Sequence, residues 1–197
     1  FKASPAGWLN FAPDHLDVHA DASAYEAAKA RIFEGVARPA DAVANASDPV
    51  VMAHAPEGAL LFGGVDTPCR VDGEGASALL IVNGEPLIEV AALMRSMPHD
   101  LDNAQAAAAL AIRAGASRAA CAEALLGFAG LAHRMALVAE IQGIRFVDDS
   151  KATTPHATLT AMAGLPGSVL IAGGRNKGVD LAVLGRSRPR AVVAIGE

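Results

Sequence analysis

Two cysteines, Cys69 and Cys121, are too few and too widely spaced for a disulfide framework or a zinc knuckle, so both are expected to be reduced thiols, buried or partly buried. No stretch reaches the ~18 to 20 uninterrupted apolar residues of a membrane-spanning helix. A run such as Ala104 to Ile112 is ended by Arg113. A dense basic cluster is also missing: 16 Lys and Arg stand against 21 Asp and Glu, a net charge of −5, which argues against a nucleic-acid track or an anionic membrane surface. Small polar metabolites are the better ligands, and reduced thiols favour a cytoplasmic setting. There is no internal repeat. What the chain does have is apolar surface, 52% hydrophobic against 19% charged residues, which is enough for one large core or two modest ones.

The opening Phe1-Lys2-Ala3-Ser4-Pro5 lacks a Met and a charged-then-apolar leader and reads as an internal cut, while residues 191–197 form a strand pattern broken off where a βα turn normally follows. Both ends are expected to be truncations. Between them, Trp8 to Phe11 reads as a strand end, residues 12–17 as a polar loop, and Ser23 as the cap of a helix to about Arg31, with Glu26 at the capping-box position. Short β-type runs at 42–46, 60–62, 78–82 and 87–90, separated by Gly, Pro and Asp, suggest a meander or a sheet edge. An Ala-rich helix is expected over 101–114, ended by Gly115, and a second one capped by Ser117. Gly127 to Ala132 is the candidate joint between domains. Beyond it, alternation around Gln142-Gly143 predicts a hairpin, followed by a helix from Pro155 and a buried strand at 169–172. The order of elements points to an α/β chain with a doubly wound second domain.

Four groups of residues carry chemistry. His15 lies in a loop flanked by Asp14 and Asp17, where imidazole and carboxylates suit a divalent cation, although an Asp-x-x-Asp near a helix start is more often turn and capping chemistry and a lone His more often structural. Tyr25 and Lys29, four residues apart, project from one helical face. Lys29 is either a solvated cation or a partly buried amine able to add carbon dioxide, and a carbamate would turn it into a carboxylate-like Mg²⁺ ligand. His133-Arg134 and Asp148-Asp149-Ser150-Lys151-Ala152-Thr153 come next, the latter at a strand end before a helix, where α/β domains bind ligands. The planar guanidinium of Arg134 suits phosphate oxygens, Asp149 a ribose hydroxyl, and Lys151 with Thr153 a carboxylate. A capped turn with solvated charges is the plainer alternative. Last, Gly173-Gly174-Arg175-Asn176-Lys177-Gly178 follows a strand, where backbone amides can approach an anion. It matches neither Gly-x-Gly-x-x-Gly nor the Gly-x-x-x-x-Gly-Lys-Ser/Thr loop.

Together, residues 9–17, 25–33 and 99–110, His133-Arg134, residues 146–153 and residues 171–178 resemble, in order and spacing, the Mur ligase family and within it the branch that adds D-glutamate. The resemblance implies an α/β architecture: residues 1–130 would be part of a central ATP-binding domain, and residues 131–197 part of a Rossmann-like C-terminal domain that binds the amino acid. It implies an ATP-dependent ligase of peptidoglycan biosynthesis, monomeric at full length, joining D-glutamate to UDP-N-acetylmuramoyl-L-alanine through an acyl phosphate. His15 would ligand Mg²⁺, Lys29 would be the carbamylated lysine at the metal and phosphate site, and Asn103 would face the adenine. Arg134 and Asp149 would serve ATP phosphate and ribose, and Lys151, Thr153 and Lys177 the D-glutamate carboxylates. Asp100 stands where the family usually has Asn, and Thr154 replaces a common Asn. The phosphate loop, an acidic Mg²⁺ ligand and the UDP-binding domain would precede residue 1, so the piece alone is expected to be inactive. Another amide ligase of the same superfamily, or a non-catalytic nucleotide-binding scaffold, are the competing readings.

Overall fold

The computed structural model describes residues 3–15, 18–174 and 180–196, and the chain divides into two compact units, Phe1–Ala129 and Gly130–Glu197. Unit one begins with strand β1 (Ala6–Trp8), followed by helix α1 (Ala22–Ala30), strand β2 (Ala42–Asn45), helix α2 (Pro49–His54) and strand β3 (Leu60–Phe62). The three strands form one parallel sheet in the order β1-β2-β3, with Ala6 opposite Ala42 and Val43 opposite Leu60. Strands β4 (Arg70–Asp72), β5 (Leu79–Val82) and β6 (Glu85–Glu89) make a separate antiparallel sheet, and helices α3 (Pro98–Arg113) and α4 (Arg118–Gly127) complete the unit.

The meander expected across the middle of the chain is therefore confined to β4, β5 and β6, whereas the runs at 42–46 and 60–62 belong to the parallel sheet. Short apolar runs bounded by turns look alike in either setting, because periodicity does not report a strand's direction.

Two apolar clusters hold unit one. Val43, Leu60 and Phe62 face Cys69, Leu80, Val82 and the alanines of α3, while Trp8, Ala44 and Val51 form a smaller cluster against Phe11, Ala30 and Phe33. Alternation along a strand sends Val43 and Ala44 to opposite faces, so the sheet separates the clusters. Helix α3 presents Ala104, Ala106, Ala108 and Ala109 to its neighbours. Leu110 of the same helix packs on β1: a Cβ on Gly7 would stand 3.0 Å from its side chain. Asp41, only 4% exposed, is held by Arg38 at 2.9 and 3.0 Å and by Arg113 Nε at 3.1 Å. The Arg38 hydrogen bond, with the positive charges of both guanidiniums, lowers its carboxyl below the usual range. Both cysteines are free and buried, and burial pushes the Cys69 thiol up.

Two caps differ from expectation. Helix α1 is capped by Asp21, whose carboxylate accepts from Ala24 N at 2.8 Å, rather than by Ser23. Glu26 is thereby moved out of the capping box. Helix α2, unforeseen, starts at Pro49 after Asp48, whose carboxylate accepts from Val50 N and Val51 N with one oxygen and from Phe11 N at 2.6 Å with the other. This one side chain ties the segment after β1 to the turn after β2.

Unit two contains the hairpin β7 (Ala136–Ile141) and β8 (Ile144–Asp148), helix α5 (Pro155–Ala163), strand β9 (Val169–Gly173) and strand β10 (Ala191–Ile195). The hairpin turns at Gln142-Gly143, both with positive φ, as a two-residue turn of mirror-image type requires. Strands β9 and β10 pair in parallel, Val169 opposite Ala191. Among the described residues, no helix is long and apolar enough to cross a membrane.

Candidate functional site

Two of the residues singled out in unit one, His15 and Lys29, meet at a single ring. After β1 the chain crosses residues 9–15 and reaches His15 in the left-handed region, φ 54°, with Asp14 Oδ1 accepting from His15 N at 2.8 Å. The carbonyl of His15 accepts from Val18 N and His19 N, both at 3.0 Å, making one turn that brings both imidazoles to Tyr25. The His15 ring meets Tyr25 edge-on at 5.8 Å between centroids, His19 lies 5.1 Å away, and Phe11 5.6 Å away. One helical turn on, Lys29 Nζ sits 5.3 Å from the centre of the same ring. The helical register thus brings Lys29 and His15 to one side chain.

Lys29 also lines, with Gly7, Trp8, Ala28 and Ile32, a concavity of about 310 Å³. A tyrosine face attracts an ammonium. A carbamate carries the opposite charge, so forming one requires Lys29 to give up its place over this ring.

His15 Nε2 is 3.6 Å from Asp14 Oδ2, and the described residues contain no group of three or more His, Cys, Asp or Glu side chains able to hold a metal ion. Magnesium normally takes only one or two protein ligands and keeps waters and phosphate oxygens for the rest. His15 and a carbamate on Lys29 would be two such ligands. Asp17 lies outside the described residues.

A second polar group surrounds the turn after β3. Gly63 has φ +78°, and a Cβ there would come within 2.7 Å of Asn45 Oδ1, so only glycine fits without displacing Asn45. Gly63 N donates to Oε1 of Gln105, a side chain only 2% exposed, at 3.0 Å, and the Ser47 hydroxyl donates to Gly63 O. Asn103 lies on the exposed side of α3, next to Asp102 and a turn after His99 and Asp100. Arg95 bonds Asp100 at 2.8 Å, and His99 Nδ1 is buried without a hydrogen-bond partner.

Burial raises the Asp102 carboxyl, and the nearby His99 opposes the shift. A carboxyl whose pKa is higher folded than unfolded destabilises the fold at neutral pH, and that cost disappears as pH falls through the folded pKa. Asp102→Asn should therefore raise resistance to urea at neutral pH, with an advantage that shrinks on acidification. A pH-independent difference, or a loss at neutral pH, would exclude this account.

In unit two, His133 Nδ1 pairs with Asp148 Oδ2 at 2.7 Å, and Asp148 Oδ1 accepts from Ser150 N at 2.9 Å. The Ser150 backbone bond first, and then His133, hold the Asp148 carboxyl below its usual range. Asp149 Oδ1 accepts from Met135 N at 3.2 Å, and Lys151 N donates to His133 O at 3.1 Å. The two stretches the sequence singled out are thus laced together. Arg134, Lys151 and Thr153 are exposed around this lacing, and Thr154 caps α5 through Ala157 N. Lys177, in the glycine-rich stretch that follows β9 in sequence, lies outside the described residues. The His133–Asp148 and Glu26–His54 pairs were not foreseen, because each joins segments that only the fold brings together.

Residues 2–64 match the Mur ligase middle domain. Over 97% of its length the chain is 45% identical to a UDP-N-acetylmuramoylalanine–D-glutamate ligase from Frankia casuarinae, covering 42% of that protein. It is 38% identical to the protein of that name from Methylococcus capsulatus, with 100% of this chain and 44% of the relative aligned. The chain spans less than half the length of these curated relatives. Among solved structures, MurF from Acinetobacter baumannii matches with TM-score 0.70 and 19% identity, over 97% of this chain and 46% of that one. MurC from Thermotoga maritima matches with TM-score 0.67 and 20% identity, over 95% and 44%. At such identities the structural matches speak to fold alone.

Proposed function

We propose that the chain belongs to the Mur ligase family and is a stretch of an ATP-dependent, cytoplasmic ligase that joins D-glutamate to UDP-N-acetylmuramoyl-L-alanine in peptidoglycan synthesis. The observation that carries the reading is the convergence of His15 and Lys29 on Tyr25, beyond the C-terminal end of a parallel strand, where α/β sheets bind ligands. The choice of D-glutamate is supported by the relatives that carry that name.

In this reading the substrate carboxylate attacks the γ-phosphorus of ATP, releasing ADP and leaving an acyl phosphate. The D-glutamate amine then attacks the acyl carbon, phosphate leaves with the bonding pair, and the nitrogen loses a proton to give the amide. Negative charge builds on phosphoryl oxygens in the first step and on the acyl oxygen in the second, so fixed positive charge accelerates both. Bound Mg²⁺ would neutralise phosphate charge, and His15 and carbamylated Lys29 are the groups that would hold it. Asn103 faces the adenine, Arg134 a phosphate, and Asp149 the ribose. Lys151, Thr153 and Lys177 hold the D-glutamate carboxylates, a role that suits two cations and a hydroxyl.

The test is an acceptor competition in the full-length polypeptide. With ATP and UDP-N-acetylmuramoyl-L-alanine present, D-glutamate, L-alanine and diaminopimelate compete, and phosphate release and product mass are followed. D-Glutamate should be incorporated almost exclusively. Preference for another amino acid would assign the chain to a different amide ligase.

A further inference from the structure

We infer that Glu26 and His54 are positioning residues for Lys29, acting as a latch between α1 and α2 that fixes where the lysine stands over the floor of its concavity. The inference rests on the role of Lys29 proposed above and adds two residues to which that role assigns nothing.

Helix α1 buries none of its residues. It meets the smaller core cluster only through half-buried Ala30 at its C-terminal end, so its position also depends on the few directional contacts it makes. Two of these lie side by side at its centre. Tyr25 leans on Phe11 at 5.6 Å, and Glu26 Oε1 meets His54 Nε2, at the end of α2, at 2.7 Å.

His54 is itself held in place. Its ring stacks on Trp8, 5.7 Å between centroids and 29° from parallel, and Trp8 is only 4% exposed in the smaller core cluster. Trp8 and Gly7 belong to β1 and line the same concavity as Lys29. The chain of contacts runs from the fixed floor at Trp8, through the His54 ring and the Glu26 carboxylate, to the helix that carries Lys29. Glu26 precedes Lys29 by three residues, so the two stand on neighbouring parts of one helical face.

The Glu26–His54 pair is about one-third exposed on each side, as expected of a pair whose main effect is geometric. An exposed pair adds little to stability, yet a misplacement of about 1 Å at a reacting group can cost ~10²-fold in rate. Loss of the latch should thus be felt at Lys29 before it is felt in the fold.

The test compares Glu26→Ala, Glu26→Gln, His54→Ala and Lys29→Ala in the full-length polypeptide, reading kcat, KM for D-glutamate and the thermal unfolding midpoint. Glu26→Ala and His54→Ala should each lower kcat about tenfold, within the ~10²-fold that misplacement permits, with KM for D-glutamate and the midpoint unchanged. Glu26→Gln keeps an oxygen to accept from the imidazole and should restore most of the rate. Wild-type kcat in Glu26→Ala, beside a disabled Lys29→Ala, would overturn the latch and leave the proposed function standing. A loss in Glu26→Ala that tracks a fallen midpoint and is not recovered by Glu26→Gln would make the pair merely structural and would also overturn it. An active Lys29→Ala would instead remove the proposed role of Lys29, and the latch with it.

Discussion

Lys29→Ala in the full-length polypeptide should reduce ATP-dependent ligation by on the order of 10²- to 10³-fold, the scale seen when a single group that stabilises developing charge is removed. The fold should be nearly untouched. Lys29 is on a helix with no fully buried residue, alanine is the better helix former, and the substitution removes one half-buried cation–π pair worth about 0.5–2 kcal/mol. Rate and stability should therefore separate: a large fall in kcat with little change in the urea midpoint. Carbon-13 bicarbonate labelling adds a direct readout, a carbamate signal in the parent polypeptide that is absent from Lys29→Ala. Retention of full ligation by the variant would remove the lysine from the chemistry.

Phe62→Ala should be the most damaging single truncation in unit one. Phe62 is 1% exposed and heads the fully buried side chains by volume. It packs against Val43, Leu60, Cys69, Leu80, Val82 and the alanine face of α3. Removing a buried phenyl ring typically costs about 3–5 kcal/mol, through forfeited transfer energy and the cavity left behind. Whole domains are stable by only about 5–15 kcal/mol, so the loss is a large share of the total. Urea unfolding should show a markedly lower midpoint, and a cost under about 1 kcal/mol would mean that the sheet and α3 collapse onto the vacancy. The adjoining Gly63 turn, tied to Gln105, should lose order with it.

Much of this architecture was legible where local rules act alone. Gln142-Gly143 between alternating runs gave the hairpin, Ser117 gave the start of α4, and Pro155 the start of α5. Legibility failed where two local rules competed or where only distance in space decided. Asp21 and Ser23 are both good caps, and nothing local told them apart; the structure uses Asp21. Six-residue α2 is too short to show a helical period, although Asp48-Pro49 was its start signal. The parallel partners of β1 could not be read because pairing direction leaves no mark on a run of three or four residues. For the candidate site, the Tyr25–Lys29 register was visible in the spacing, whereas His19 at 5.1 Å from Tyr25 and the Asp148–His133 pair became apparent only once loops were folded.

The methyl-lined side of α3 sets an asymmetry in how that helix can vary. With alanine already the smallest side chain that keeps a Cβ, positions 104, 106, 108 and 109 have no volume left to give up except by losing helix propensity to glycine. Any enlargement must push the rod away from the β2, β3 and β5 side chains it packs on, carrying with it Gln105, which pins the turn after β3, and Asp100, Asp102 and Asn103 in its first turns. Distance between rod and sheets is thus a quantity that four methyl groups regulate jointly, and the polar residues at the rod's N-terminal end inherit their placement from it.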